Sequence, residues 1–242
     1  MERHVAVAGL LALALAAPSA GAAERVRLSL GGSFAPLKLD FSESRTFQQY
    51  AEDGKLDASY SIDGGPGGEL GIQFNFTDNF GIAAGGFITK RTGSASYTAS
   101  LPHPLYLSKP RTATGQASDL AYSETGGQLA LVLHGGGSTV LYGVMAGAMM
   151  VKVEAELINE IQYSHAYPYD NVTVTGQTKT GVSDTPIGFF AGAYLDVRFG
   201  SFGLGADASF SQATAKLTPP TGDSVEVKAG GLKVGAGIRL YF

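Results

Sequence analysis

The chain has 242 residues, 34 of them glycine, with no cysteine, no tryptophan and a formal charge of −4. Zero cysteine excludes disulfides, thiolate metal sites and a lipidated N-terminal cysteine. The slight acidity and the lack of a basic cluster exclude nucleic acid as a partner.

Residues 1–22 read as a signal peptide. Arg3 supplies positive charge, residues 5–17 form an apolar core, and Ala20-Gly21-Ala22 fits the small-x-small cleavage pattern. That core is too short to span a membrane as a helix, which takes ~20 apolar residues, and no later run is long enough. Residues 23–242 are therefore read as one domain.

From Val26 onward the pattern has a period of two, the signature of strands with one apolar and one wet face. Strand one carries Val26, Leu28, Leu30, Gly32 and Phe34 on one face. A polar stretch follows to Gly68, with Gly64-Gly65-Pro66-Gly67-Gly68 as a turn signal. Strand two carries Leu70, Ile72, Phe74 and Phe76. Thr77-Asp78-Asn79 is a short turn, and strand three carries Phe80, Ile82, Ala84, Gly86 and Ile88. A long segment over 93–124 follows, in which Pro102, Pro104 and Pro110 are expected to break regular pairing.

Strand four shows Leu129, Leu131 and Leu133, and Gly135-Gly136-Gly137-Ser138 is the second tight turn. Strand five, over 139–154, is apolar on both faces. Its odd face (Leu141, Met145, Met149, Val151, Val153) is assigned to lipid, because the even phase would carry Lys152 and Glu154 there, where charge is costly. A long segment over 155–185 leads to strand six, with Ile187, Phe189, Leu195, Val197 and Phe199. Gly200-Ser201 is the third tight turn, and strand seven carries Phe202, Leu204, Ala206, Ala208 and Phe210. After a segment with Pro219-Pro220 and Gly222-Asp223, the closing strand alternates Leu232, Val234, Ala236, Ile238, Leu240 and Phe242.

The expected fold is therefore all-β: an eight-stranded antiparallel up-and-down transmembrane barrel whose connections alternate long and short. Outer-membrane barrels have short periplasmic turns, long external loops and an even strand count, and closure leaves no unpaired edge in lipid. Both termini are then periplasmic. Phe74, Phe76, Phe80, Phe199, Phe202 and Phe242 flank short turns or the C-terminus and are expected to form the periplasmic aromatic girdle. Phe34, Ile88, Phe189 and Phe210 would mark the outer rim.

With eight strands, this topology and the Tyr241-Phe242 ending, the chain from residue 24 to 242 resembles the small outer-membrane β-barrel proteins of the OmpA-like transmembrane and Opa-type, porin-family group. The resemblance rests on pattern rather than on a sharp residue motif. It implies an insertion signal in Ile238, Leu240, Tyr241 and Phe242, read by the barrel-assembly machinery. It also implies a Gram-negative outer membrane with lipid and lipopolysaccharide around the barrel, and a monomer. The peptidoglycan-binding activity of OmpA proper is not carried over.

The positions assigned to the lumen hold Arg27, Glu69, Lys152, Glu154, Asp196, Arg198, Asp207, Lys233 and Arg239. An eight-stranded barrel is only wide enough inside for side chains, so these charges must pair or stay hydrated. A cluster of Arg239 with Asp207, joined by Asp196 and Arg27, is expected to plug the lumen.

Catalysis has little basis. His103 lies between two prolines, His134 abuts a turn, and Ser164 next to His165 does not make a nucleophile–base–acid arrangement. No metal-ligand spacing or cofactor motif is present, so neither metal nor cofactor is expected. The Tyr-rich loop with Tyr163, His165, Tyr167 and Tyr169 is the candidate surface for an external ligand. The expected function is a non-catalytic structural or surface-interaction role through the external loops. Two other classes share the architecture. A narrow channel for small or hydrophobic solutes would need hydrated inward charges without a constriction. A lipid-modifying barrel enzyme would need Ser-His-acid geometry near the outer rim.

Overall fold

The computed structural model describes residues 25–220 and 224–242. The signal peptide expected over 1–22, and Gly222-Asp223, lie outside the described residues. Among the described residues, eleven strands form one antiparallel sheet: β1 (Val26–Ala35), β2 (Leu39–Gln49), β3 (Glu52–Ile62), β4 (Gly65–Asn75), β5 (Phe80–Leu101), β6 (Arg111–Gly136), β7 (Val140–Ser164), β8 (Thr173–Asp184), β9 (Ile187–Phe199), β10 (Phe202–Leu217) and β11 (Val225–Tyr241).

Eight of them close a ring in the order β1-β4-β5-β6-β7-β9-β10-β11. The closing ladder pairs β1 with β11, from Arg27 opposite Tyr241 to Phe34 opposite Val234. These eight are the spanning strands read from the sequence. Their apolar faces point outward: Leu30, Leu70, Ile82, Leu129, Leu131, Leu204 and Ile238 are all exposed. An outward apolar band on a closed ring, with charge inside, is the arrangement a bilayer demands.

The expected long connections are mostly strand. β5, β6 and β7 run for 22, 26 and 25 residues, where about 9–11 suffice to cross a bilayer. Pro102, Pro104 and Pro110 fall in the link between β5 and β6, so they end strands that the sequence reading ended too early. The extra length carries its own partners. One edge of β5 takes β4 over residues 81–89 and then β3 over 93–100. One edge of β7 takes β9 over 140–150 and then β8 over 153–164. A second storey is thereby stacked on the membrane ring.

The two storeys have opposite faces. On β5, Ile82 and Ile88 point outward in the lower storey. In the upper storey Ala95, Tyr97, Ala99 and Leu101 point inward, while Ser94, Ser96 and Thr98 face out. On β7, Val153, Ala155 and Leu157 are buried inward above the level where Val144 and Met150 face lipid. Lipid around a barrel draws apolar side chains out, and water around it drives them in. The upper interior is one apolar core that includes Leu56, Tyr60, Tyr122, Leu157, Leu217 and Val227.

This boundary corrects the assignment of strand five. The lipid face of β7 is its even face: Val140, Tyr142, Val144 and Met150 are outward, with Met150 57% exposed and Met149 3%. Lys152 and Glu154, which argued against the even face, lie above the lipid band. They are exposed to water and paired with each other at 2.5 Å. They are therefore not lumen charges.

At the junction β11 bends at Gly230 and Gly231, with φ of +104° and +97°. An added Cβ at Gly230 would lie 2.4 Å from the Ser211 carbonyl oxygen, so glycine is required there. The bend turns the Gly230 N–H toward Glu124 Oε1 (3.0 Å), and the Gly230 carbonyl accepts from Arg91 Nη2 (3.1 Å). Above this point the β10–β11 hairpin meets β2 and β8 through side chains rather than through a ladder. Lys216 N–H donates to Asp184 Oδ2 at 2.7 Å across one seam. From β2, Arg45 Nη2 spans the interior to the carbonyls of Ile158 (2.6 Å) and Asn159, which the β7 bulge at 158–160 turns inward.

Beside Arg45, Glu43 is buried, with 3.9 Å between Glu43 Oε1 and Arg45 Nε. Burial raises the Glu43 pKa above its ordinary value, and the Arg45 charge only partly offsets this. A carboxyl whose folded pKa is raised contributes stability below its unfolded pKa and loses it as pH rises through the folded one. The urea midpoint of the upper storey is thus expected to fall as pH climbs upward from about 4.3, the ordinary glutamate value. Glu43→Gln should flatten that fall. A wild-type midpoint that rises across the same window would contradict this account.

Candidate functional site: the charged lumen and the clasped apex

The lower lumen is built by the residues that alternate with the lipid face. Asp196, fully buried on β9, is its hub. It accepts from Arg27 Nε (2.7 Å) and Nη2 (3.1 Å) and from the Tyr241 hydroxyl (2.7 Å). Arg239 Nε lies 3.4 Å from Asp196 Oδ1, and Arg239 Nη2 donates to Asp207 Oδ1 at 2.8 Å. Arg239 reaches Asp196 across Gly205 on the intervening strand. A Cβ at Gly205 would stand 2.0 Å from Asp196 Oδ1 and 2.7 Å from Arg239 Nε, so the bridge needs glycine there.

The structure thus brings together all four residues expected in the cluster, Arg27, Asp196, Asp207 and Arg239, with Asp196 rather than Arg239 at the centre. The sequence reading missed Tyr241, Tyr194 and Gln73 as members. Arg27 lies 4.0 Å over the Tyr194 ring, and Gln73 Nε2 donates to the Tyr194 hydroxyl at 3.2 Å. The signal was present, since each alternates with a lipid-facing neighbour, but only charged residues had been sought.

Above the hub, Lys233 Nζ lies 3.5 Å over the Phe87 ring. At the junction Arg91 and Glu124 are 3.8 Å apart, and the Tyr122 hydroxyl donates to Glu124 Oε1 at 2.9 Å. Tyr122 and Glu124 sat in a stretch read as loop. Along the lumen Arg27, Arg239, Lys233 and Arg91 face Asp196, Asp207, Glu69 and Glu124, with Arg198 at the short-turn mouth over the Tyr241 ring. The space among Glu69, Gln128, Asp207, Lys233 and Arg239 is a cavity of ≈ 70 Å³. It has room for a few waters, and the apolar core of the upper storey lies above it.

At the opposite end from the short turns, the link 102–110, the link 165–172 and the β2–β3 turn meet. Arg111 Nη1 donates to His165 Nδ1 (2.9 Å), and its other contacts are the carbonyls of Tyr169 (3.2 Å) and Pro102 (2.8 Å). Arginine can only donate, so His165 Nδ1 is the acceptor. His103 Nδ1 accepts from the N–H groups of Leu105 and Tyr106. Lys109 Nζ donates to Asp170 Oδ1 at 2.5 Å, Ser108 N–H to Glu52 Oε1 at 2.6 Å, and Gln49 Nε2 to the Tyr163 hydroxyl at 2.7 Å. Of the four residues proposed for a binding loop, Tyr163, His165 and Tyr169 therefore act largely in this clasp, whereas Tyr167 is 80% exposed. Asp170 pairs with Lys109, which holds its carboxyl below the usual range. His165 stacks at an edge on Tyr169, with ring centres 5.0 Å apart. Its Nδ1 is committed to Arg111 in this arrangement.

The expected girdle residues Phe74, Phe76, Phe80, Phe199, Phe202 and Phe242 all project outward at the short-turn end, and Tyr142 joins them. Ile238 and Leu240 lie on the same outward face, while Tyr241 turns inward to Asp196. Among the described residues no group of three or more His, Asp or Glu side chains could hold a metal ion.

No family model matches the chain, and no curated protein matches it in sequence. Among solved structures it is similar to Ail, the attachment invasion locus protein of Yersinia pestis. Identity is 14%, the TM-score is 0.39, and 90% of this chain and 100% of that one are covered. It is also similar to Neisserial surface protein A, at 10% identity and a TM-score of 0.40, over 90% of this chain and 97% of that one. On its own geometry, with a closed ring of eight strands, an outward apolar band, outward aromatics at the short-turn end and a charged lumen, the chain has the fold of a small β-barrel of the outer-membrane type.

Proposed function

We propose that the protein is a non-catalytic outer-membrane surface protein that works through the far end of its upper storey. The short-turn end and both termini lie in the periplasm, and the upper storey stands outside the cell. The barrel sits as a monomer in lipid and lipopolysaccharide, inserted by the barrel-assembly machinery through its closing strand. The observation that carries this reading is the exchange of faces along β5 and β7. A wall with polar residues outside and an apolar core inside belongs in water, and only one end of the ring has one.

The lumen filled by the Asp196 hub, under an apolar core, favours a plug over a channel. Planar bilayers containing the protein should show no porin-like current, and protease on intact cells should cut only in the links at the far end, such as 102–110 and 165–172. A steady porin-scale conductance, or cuts confined to the short turns 77–79 and 137–139, would overturn the proposal.

A further inference from the structure

Outside the lipid band, large exposed apolar side chains among the described residues are few: Leu37, Tyr50, Leu105, Tyr106, Leu107 and Tyr167. Five of the six sit on the three clasped links of the apex. Leu107 is 76% exposed and Tyr167 80%. Apolar residues scattered singly need no explanation, but a contiguous group marks a contact surface. The backbone there is also forced. Among the described residues five non-glycine residues have left-handed φ, and four are apical: Tyr50 (+53°) and Ala51 (+63°), which make the two-residue β2–β3 turn, and Ser108 (+57°) and Tyr169 (+72°) in the two links. Such conformations persist where surrounding structure holds them, and they gather at functional sites.

We infer that this apex docks into an opposing lipid surface of zwitterionic composition. The inference rests on the external placement of the upper storey. It commits to lipid for three reasons. The exposed set is leucine and tyrosine, the mix of aliphatic body and hydroxyl-tipped ring that settles at a membrane interface. The apical cations are already engaged within the clasp, Lys109 by Asp170 and the buried Arg111 by His165 and two carbonyls, while Glu52 keeps its negative charge, so the surface offers little to an anionic glycan or an anionic headgroup. Its position also suits a facing membrane. Leu101 is 13 residues beyond Ile88 at the rim of the lipid band, which places the apex roughly 30 Å above it at the usual strand rise and tilt. The clasp holds the three links as one body, so docking orders little that is not already ordered.

Because the chain has no tryptophan, Leu107→Trp makes a lone reporter. The folded full-length protein, held in lipid nanodiscs, is mixed with phosphatidylcholine vesicles whose acyl chains carry bromine. The emission is expected to move to the blue and to be quenched by the bromine. Adding Leu105→Ser or Tyr167→Ser should weaken vesicle partitioning about tenfold each, and Lys228→Gln, exposed on the β11 wall outside the clasp, should leave it within about twofold. Unchanged emission, or a blue shift that depends on protein concentration without vesicles, would overturn the lipid assignment, the latter in favour of a second copy. A strict need for anionic lipid would overturn it as well. A biotin maleimide too large to cross the outer membrane, applied to intact cells carrying Leu107→Cys, separates this from the underlying reading, because the chain has no other cysteine. If it labels the Leu107→Cys protein while vesicles do nothing to the Leu107→Trp reporter, the apex is external and only the lipid assignment fails. If it labels only after the cells are broken, the external placement itself fails.

Discussion

Asp196→Ala lowers the stability of the folded barrel by about 3–5 kcal/mol, the usual loss when one partner of a buried ion pair is removed. The reason is the number of groups that depend on one carboxylate. Arg27 gives it two hydrogen bonds, Tyr241 one, and Arg239 a charge contact at 3.4 Å. Without it, two guanidinium groups face each other in the lumen, and only Asp207 remains as a nearby anion for Arg239. Asp196→Asn keeps an acceptor for Tyr241 and should cost less. The check is the urea concentration at which the folded, heat-modifiable band is lost on a detergent gel. A change below about 1 kcal/mol would show that waters already carry the hub's hydrogen bonds.

The second large effect separates the two storeys with one substitution at two leucines. Leu129 is exposed to lipid midway along the band, opposite Ala84 and Ala148. Leu157 is fully buried in the upper core. Leu129→Arg should cost about 2–4 kcal/mol through charge in hydrocarbon, read as weaker insertion and a lower urea midpoint. Leu157→Arg places charge in an apolar core that water borders on the outside. It should leave insertion and the girdle intact while opening residues 39–62 and 153–184 to protease. Equal loss of insertion from both variants would mean that the upper core is also in membrane.

The ring of eight was legible because each lower strand has a single apolar face set off by turn residues. Leu129, Leu131 and Leu133 leave no choice of phase. The upper storey was hidden for the reverse reason. Its strands bury residues such as Ala95, Ala99, Ala113 and Ala117 behind Ser and Thr, a pattern of low contrast that reads as polar loop. β7 failed at the boundary between the two. Both of its faces are apolar over 140–150, and Lys152 and Glu154 were used to choose between them as though lipid still surrounded them. The pairing of β7 with β8 from Val153 upward, which takes these charges out of the band, is a long-range fact with no local sign. In the lumen the paired charges were readable from parity alone. Their hub was not, because it depends on Gly205 leaving space for Arg239 to cross to Asp196. At the apex, aromatic composition singled out the 163–169 segment. That Tyr163, His165 and Tyr169 engage the clasp while Tyr167 stays exposed could not be read without the contacts of Arg111.

The exchange of faces along one strand is the central claim, and the absence of cysteine makes it directly measurable. Single cysteines from position 144 to 157 of β7, spin-labelled in the barrel reconstituted in bilayers, report collision with oxygen, which concentrates in lipid, and with a water-soluble nickel reagent. Even positions 144 to 150 should respond to oxygen and not to nickel. Positions 152, 154 and 156 should respond to nickel, and the odd positions to neither. One solvent along the whole even face, or lipid contact at 145, 149 or 153, would contradict the two-storey barrel.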